Sequence, residues 1–188
     1  MHFNFRLDKE KGFTLIETIV GIVVLAISLS VITTLIYPVA ERNAEQLHQI
    51  KAAELGQSML NEIQSKAFDE NSDMAGGLIR CGELGVTCST SMGADTDPIS
   101  SIVETRITYN DVDDYNGLTY TSGNIKNSQG LDIDLYIGYE MNIVVCNDSD
   151  YDGDCTTNSN TSTAKLITVT ITTPAGFDIS FSTYRVNF

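Results

Sequence analysis

Lys11-Gly12-Phe13-Thr14-Leu15-Ile16-Glu17 heads a tract in which no further formal charge occurs until Glu41. The 23 residues between the two glutamates are dominated by Ile, Val and Leu. At about 1.5 Å of rise per residue they form a helix long enough to cross the hydrocarbon of a bilayer. Apolar side chains from Ile19 to Ile36 fall on every helical face, so the segment belongs in lipid or among similar helices. Pro38 lacks an amide hydrogen and crowds the carbonyl four residues back, which predicts a kink or local melting over 34–38.

Residues 1–12 carry Arg6, Lys9 and Lys11 against Asp8 and Glu10. A secretory signal is cut after its apolar core, next to small residues. Here the recognisable junction precedes the core, so processing leaves the apolar segment on the mature chain. Positive residues ahead of the tract favour a cytoplasmic location for that end. An uncleaved signal anchor of the same orientation is the alternative.

A short charged leader, a Gly-Phe junction and one acid at the edge of the tract resemble a type IV prepilin. The resemblance implies that a membrane-embedded prepilin peptidase cuts after Gly12 and methylates the new amino group of Phe13. The mature chain would be residues 13–188, and losing one net positive charge would take the formal charge from -14 to -15. It also implies partners: other pilins of one filament, and an inner-membrane assembly platform. Glu17 is an acid close to hydrocarbon and needs neutralising. Its own helix N-terminus offers partial positive charge. The resemblance implies a sharper partner, the α-amine of a neighbouring subunit's Phe13.

Beyond Pro38 the composition becomes polar. Ala52, Leu55, Met59, Ile63 and Ala67 recur at helical spacing on one face, which predicts an amphipathic half packed on a sheet. Gly56 within it suits a close helix–sheet approach. His48 reads as lying on the polar side. From 68 to 98 the chain is a long connection rich in Gly, Ser, Asp and Thr. Leu135, Ile137, Tyr139, Met141, Ile143 and Val145 then alternate as one strand face, and Ile167, Val169 and Ile171 as another. Pro174-Ala175-Gly176 reads as a hairpin turn before Phe177, Ile179 and Phe181. A slip of phase to Tyr184, Val186 and Phe188 predicts a bulge near Ser182. A weaker strand is expected over 102–109. The expected fold class is α+β: a long N-terminal helix on an antiparallel sheet, which is pilin-like. Its parts are a leader (1–12), a transmembrane and assembly helix (13–37), an amphipathic half (38–67) and a globular sheet domain (68–188).

Cys81 and Cys88, and Cys146 and Cys155, form two close pairs in a region expected outside the cytoplasm, where disulfides persist. Four cysteines allow three connectivities. Local pairing is favoured because each loop closes without long-range geometry, and a zinc site is the alternative, although the spacings and the absence of a nearby His do not suit it. Between the second pair, Asp148, Asp150, Asp152 and Asp154 alternate around Gly153 like the first half of a calcium loop. The acid expected eleven positions after Asp148 is replaced by Ser159, so Asp111, Asp113 or Asp114 would have to complete a Ca²⁺ shell. A solvated acidic loop is the other reading.

No constellation of nucleophile and base is apparent, so no enzymatic activity is expected and no cofactor is required. With 11 basic residues against 25 acidic ones, the charge argues against phosphate-mediated binding of nucleic acid. Four segments further resemble the minor pilins of the mannose-sensitive haemagglutinin (MSHA) pilus: residues 52–57, 68–72, 111–115, and the end from 165–173 to Tyr184-Arg185. That implies a low-abundance subunit anchored in the inner membrane with a periplasmic domain, which enters an extracellular pilus and contributes to adhesion. A type II secretion pseudopilin and a tip adhesin module are the competing expectations.

Overall fold

The computed structural model describes residues 12–74, 77–96, 101–121, 124–156 and 160–188, without the side chains of 37–41. Helix α1 spans Leu15–Gln64, 50 residues. Thr14 precedes it, and its hydroxyl oxygen accepts the Glu17 amide at 3.3 Å, satisfying one of the donors that every helix leaves open at its start. The 22 residues Leu15–Ile36 are apolar enough to cross a membrane and none is buried. Ser28, Thr33 and Thr34 turn their hydroxyls back onto carbonyls one turn earlier, which hides polar groups inside the apolar stretch. The backbone stays helical through 34–38, so the melting expected at Pro38 is absent.

The chain divides into two compact units, Met1–Ala44 and Glu45–Phe188. In the second, four antiparallel strands lie in the order β1-β2-β3-β4: Thr119–Tyr120, Glu140–Asn147, Ala164–Thr172 and Asp178–Val186. The register pairs Met141 with Ile171, Ile143 with Val169 and Val145 with Ile167; β4 then sets Ile179 beside Ile171 and Phe181 beside Val169. Their inward side chains form one core with Ala52, Leu55, Met59 and Ile63 of α1. This is the α+β, type IV pilin-like arrangement. Gly56 lies under Phe181, and a Cβ added there would overlap the ring. The β3–β4 turn closes through the Gly176 amide on the Thr173 carbonyl at 2.8 Å, with Gly176 at φ +81°.

Three strand expectations need correction. The alternation from 135 to 145 is a strand only from Glu140. Asp134–Tyr136 forms a 3₁₀ turn, Gly138 adopts φ +81°, and Leu135 and Ile137 face solvent. Periodicity cannot see that break, because a turn of three followed by a left-handed glycine happens to keep the phase. β4 carries no bulge: its register with β3 is unbroken from Asp178 to Val186. The aromatic residues change phase because the strand's end is covered on both faces. Arg185 points inward to the Lys66 carbonyl (3.2 Å), and Tyr184 points outward to Asp148. Finally, 102–109 holds only a bridge at Val103 and a turn at 106–108. Arg106 anchors it instead: its guanidinium meets Glu62 at 2.5 Å and lies over the Tyr115 ring.

Candidate functional site

Gly12, Phe13 and Thr14 precede the helix as exposed, non-helical backbone, with open space around Gly12 and Phe13 85% exposed. A peptidase needs such an extended, accessible junction. Glu17 is the third residue of α1, and its carboxylate belongs to the turn where the helix end is positive. Thr14 and Glu17 have the S/T-x-x-E spacing of a capping box, so Thr14 is a positioning residue that the sequence reading passed over.

Cys81 bonds Cys88 and Cys146 bonds Cys155, with Cα separations of 4.7 and 5.6 Å. The first loop is fastened to the end of the chain, where the Asn187 amide donates to the Cys81 and Ser162 carbonyls, both at 2.9 Å. Within the second, one carboxylate oxygen each of Asp148, Asp150 and Asp152 lies within 4.8 Å of the others. Asp154 stands outside that group and accepts the Thr156 amide and hydroxyl. Asp148 is buried, and both of its oxygens have donors: the Tyr151 amide at 2.8 Å on one, the Gly153 amide (2.9 Å) and Tyr184 hydroxyl (2.7 Å) on the other. The Tyr184 hydroxyl chiefly holds the Asp148 carboxyl below its usual range, while Tyr184 itself rises to about 12. The loop thus closes on its own protein donors. His48 is turned toward the sheet, with Nδ1 2.7 Å from the Tyr139 hydroxyl, contrary to its expected polar-side position.

Asp111, Asp113 and Asp114 do not join Asp148 in that group. They belong to a second acidic region, built where the chain leaves α1. Ala67 bridges Asp111, and the turn at Asp113–Tyr115 packs beneath. Lys165, on β3, reaches in with its ammonium 2.6 Å from Asp113, 3.4 Å from Asp69 and 2.7 Å from the Phe68 carbonyl. These residues come from the segments 68–72, 111–115 and 165–173, which are distant in sequence and meet at this one buried amine. Asp114 accepts the Asn110 and Asp111 amides, and one oxygen of Asp111 accepts the amides of Asp113 and Asp114. Burial, reinforced by neighbouring acids, lifts Asp111 to about 7. Burial also lifts Asp113 to about 6 despite Lys165, and Glu104 to about 8 with Asp114 adding to it.

Residues 7–33 match the family model described as the prokaryotic N-terminal methylation motif. No curated protein and no solved structure matches the chain. The motif supports a type IV pilin or pseudopilin-like protein, a structural subunit and not an enzyme by inference from the family. It implies processing by prepilin peptidase and assembly with other pilins; with the apolar helix it points to membrane anchoring followed by incorporation into a filament.

Proposed function

We propose that the chain is a minor pilin of a type IV pilus of the MSHA kind, in the place that MshD occupies there. The prepilin peptidase cuts between Gly12 and Phe13 and methylates the new terminus. The subunit waits in the inner membrane with residues 45–188 in the periplasm, and the assembly platform draws it into the filament. Glu17 then pairs with the amine of a neighbour's Phe13, which removes two charges from an apolar filament core and fixes the stagger. No cofactor enters this chemistry. Exposed loops of the globular unit contribute to adhesion.

The observation that carries this reading is the position of Glu17. It is the single formal charge within Leu15–Ile36, the apolar and wholly exposed stretch of α1, one turn from an accessible junction. An acid placed there without a partner costs about 2.5–3.5 kcal/mol at a helix centre and less near an end. Supporting the narrower assignment are the four downstream segments, three of which contribute to the Lys165 cluster.

Deleting the gene in its host and counting surface pili by electron microscopy tests the reading. Loss of pili, restored by the wild-type gene and not by Glu17→Ala, is the expected result. Mass spectrometry of the mature protein is expected to find a methylated Phe13 terminus. Normal pili with a lost secreted protein would instead assign the chain to a type II secretion system as a pseudopilin, which shares the N-terminal motif. Normal pili with lost attachment would leave a tip adhesin module.

A further inference from the structure

We infer that the domain carries a Ca²⁺ site formed by Glu70, Asp95 and Asp111, separate from the Asp148 loop. One carboxylate oxygen from each of the three lies within 4.8 Å of the others. Two oxygens each about 2.4 Å from a common Ca²⁺ can be no further apart than about 4.8 Å, so the grouping has the size of an ion shell.

Carboxylates crowd together on many surfaces. What distinguishes this group is a deficit of donors at its buried member, Asp111. Asp111 is completely buried; its Oδ1 is taken by two backbone amides, and its Oδ2 has no hydrogen-bond partner. Glu104 Oε2 and Asp113 Oδ1 are also buried without a donor. Among the described residues, every buried carboxylate oxygen lacking a donor belongs to this region, and none belongs to the Asp148 loop. Native structures rarely leave such acceptors unmet, because an unsatisfied buried carboxylate oxygen forfeits its hydration for nothing. Of the described carboxylates, Lys165 pairs with Asp113 and Asp69. Asp111, the buried member of the group, thus keeps an oxygen that a cation shared with Glu70 and Asp95 would satisfy.

The chemistry selects the ion. All donors are hard oxygens, with no thiolate or imidazole in the group, which disfavours zinc and other soft-ligand metals. The three carboxylates come from different segments, and the chain supplies Asp114 and Glu104 nearby. Ca²⁺ accepts six to eight oxygens in irregular geometry, whereas Mg²⁺ demands a near-octahedral shell and sheds water reluctantly. Access exists as well. Glu70 is exposed and lines an open pocket with Ala67, Ser72, Asp73, Met74 and Asn110, so one of the three ligands is reached directly from solvent. Bound there, the ion would tie Glu70, just beyond the end of α1, to Asp95 and Asp111.

The test uses the full chain in detergent with both disulfides intact, stripped with chelator and titrated with CaCl₂ or MgCl₂. Calorimetry and thermal melting provide the readouts. We expect saturable binding of one Ca²⁺ per chain with a rise in melting temperature, and a much smaller response to Mg²⁺. Glu70→Gln with Asp95→Asn, neither a fully buried residue, is expected to weaken binding at least tenfold without lowering the metal-free melting temperature. Asp111→Asn, which keeps an acceptor for the two amides, is expected to abolish the calcium shift and raise the metal-free melting temperature. Asp150→Asn with Asp152→Asn is expected to bind as wild type does. Absence of Ca²⁺ binding at millimolar concentration would overturn the inference, showing that protons alone settle the cluster. Binding retained in Glu70→Gln/Asp95→Asn and lost in Asp150→Asn/Asp152→Asn would overturn it too, placing the ion in the disulfide loop.

Discussion

Lys165 illustrates how one side chain can hold a domain's chemistry together. It is the second residue of β3, an inner and threonine-rich strand of the sheet, yet it is 1% exposed. Its ammonium makes bonds to two carboxylates and a carbonyl and lies 4.4 Å from the Phe68 ring centre. Lys165→Met is expected to destabilise the chain by about 3–5 kcal/mol at neutral pH, since it strands buried charge. The loss should be smaller near pH 5, where Asp113, lifted to about 6, takes up a proton of its own. Urea unfolding at the two pH values checks both parts, and an equal loss at both would show that Lys165 acts through packing alone. Arg106 offers a parallel case: Arg106→Ala leaves Glu62 without its cation and should cost about 3 kcal/mol in the same assay. Neither role was legible beforehand. A lone Lys or Arg in sequence carries no sign of burial, because its partners lie 52 and 44 residues away at Asp113 and Glu62.

The elements were read more readily where one physical rule acts alone. The apolar tract after Glu17, the stripe that starts at Ala52 and the alternation in β3 each follow a single period and form the helix and strand expected. The exceptions are that the helix runs unbroken past Pro38 and ends at Gln64, leaving Ala67 to bridge Asp111. Errors arose where two rules overlapped. In β4 the alternation signals burial on one face, but the disulfide loop covers the other face at Tyr184, so the pattern imitates a bulge. In 102–109 a weak strand is expected, whereas the Glu62–Arg106–Tyr115 contacts decide the path. Gly56 was legible as a contact point but not as to its neighbour. Replacing a helical glycine by alanine normally gains about 1 kcal/mol. Here the added methyl meets the Phe181 ring, so Gly56→Ala is expected to destabilise by about 1–3 kcal/mol. Combining it with Phe181→Leu should recover part of that loss; strictly additive effects in chemical unfolding would show that the two do not touch.

For the molecule as a whole, the acidic cluster makes stability a function of pH in an unusual direction. Glu104, Asp111 and Asp113 bind protons more tightly in the fold than their ordinary values of 4.5, 3.8 and 3.8, reaching about 8, 7 and 6. The stabilisation that those protons confer is complete below about pH 4 and is lost as pH rises through about 6 to 8. Asp69, Glu70, Asp95 and Asp114 oppose ionisation, and Lys165 favours it. In chelator, the melting temperature of the full chain should therefore fall between about pH 5 and pH 8; a flat or rising profile would contradict the raised values. With calcium present the decline should be shallower, since deprotonation of Asp111 then supplies a ligand. The candidate assembly site was the most legible feature, because cleavage and assembly chemistry is written in consecutive residues. The acidic cluster was the least, because four separate segments compose it. The two disulfides, finally, join each cysteine to its nearest neighbour in the sequence, and neither bond crosses the other. An oxidant acting on thiols in the order in which they emerge would make both native bonds directly, and no exchange step would be needed to correct them. Maturation of the domain would then depend on a supply of oxidant and be indifferent to a disulfide isomerase.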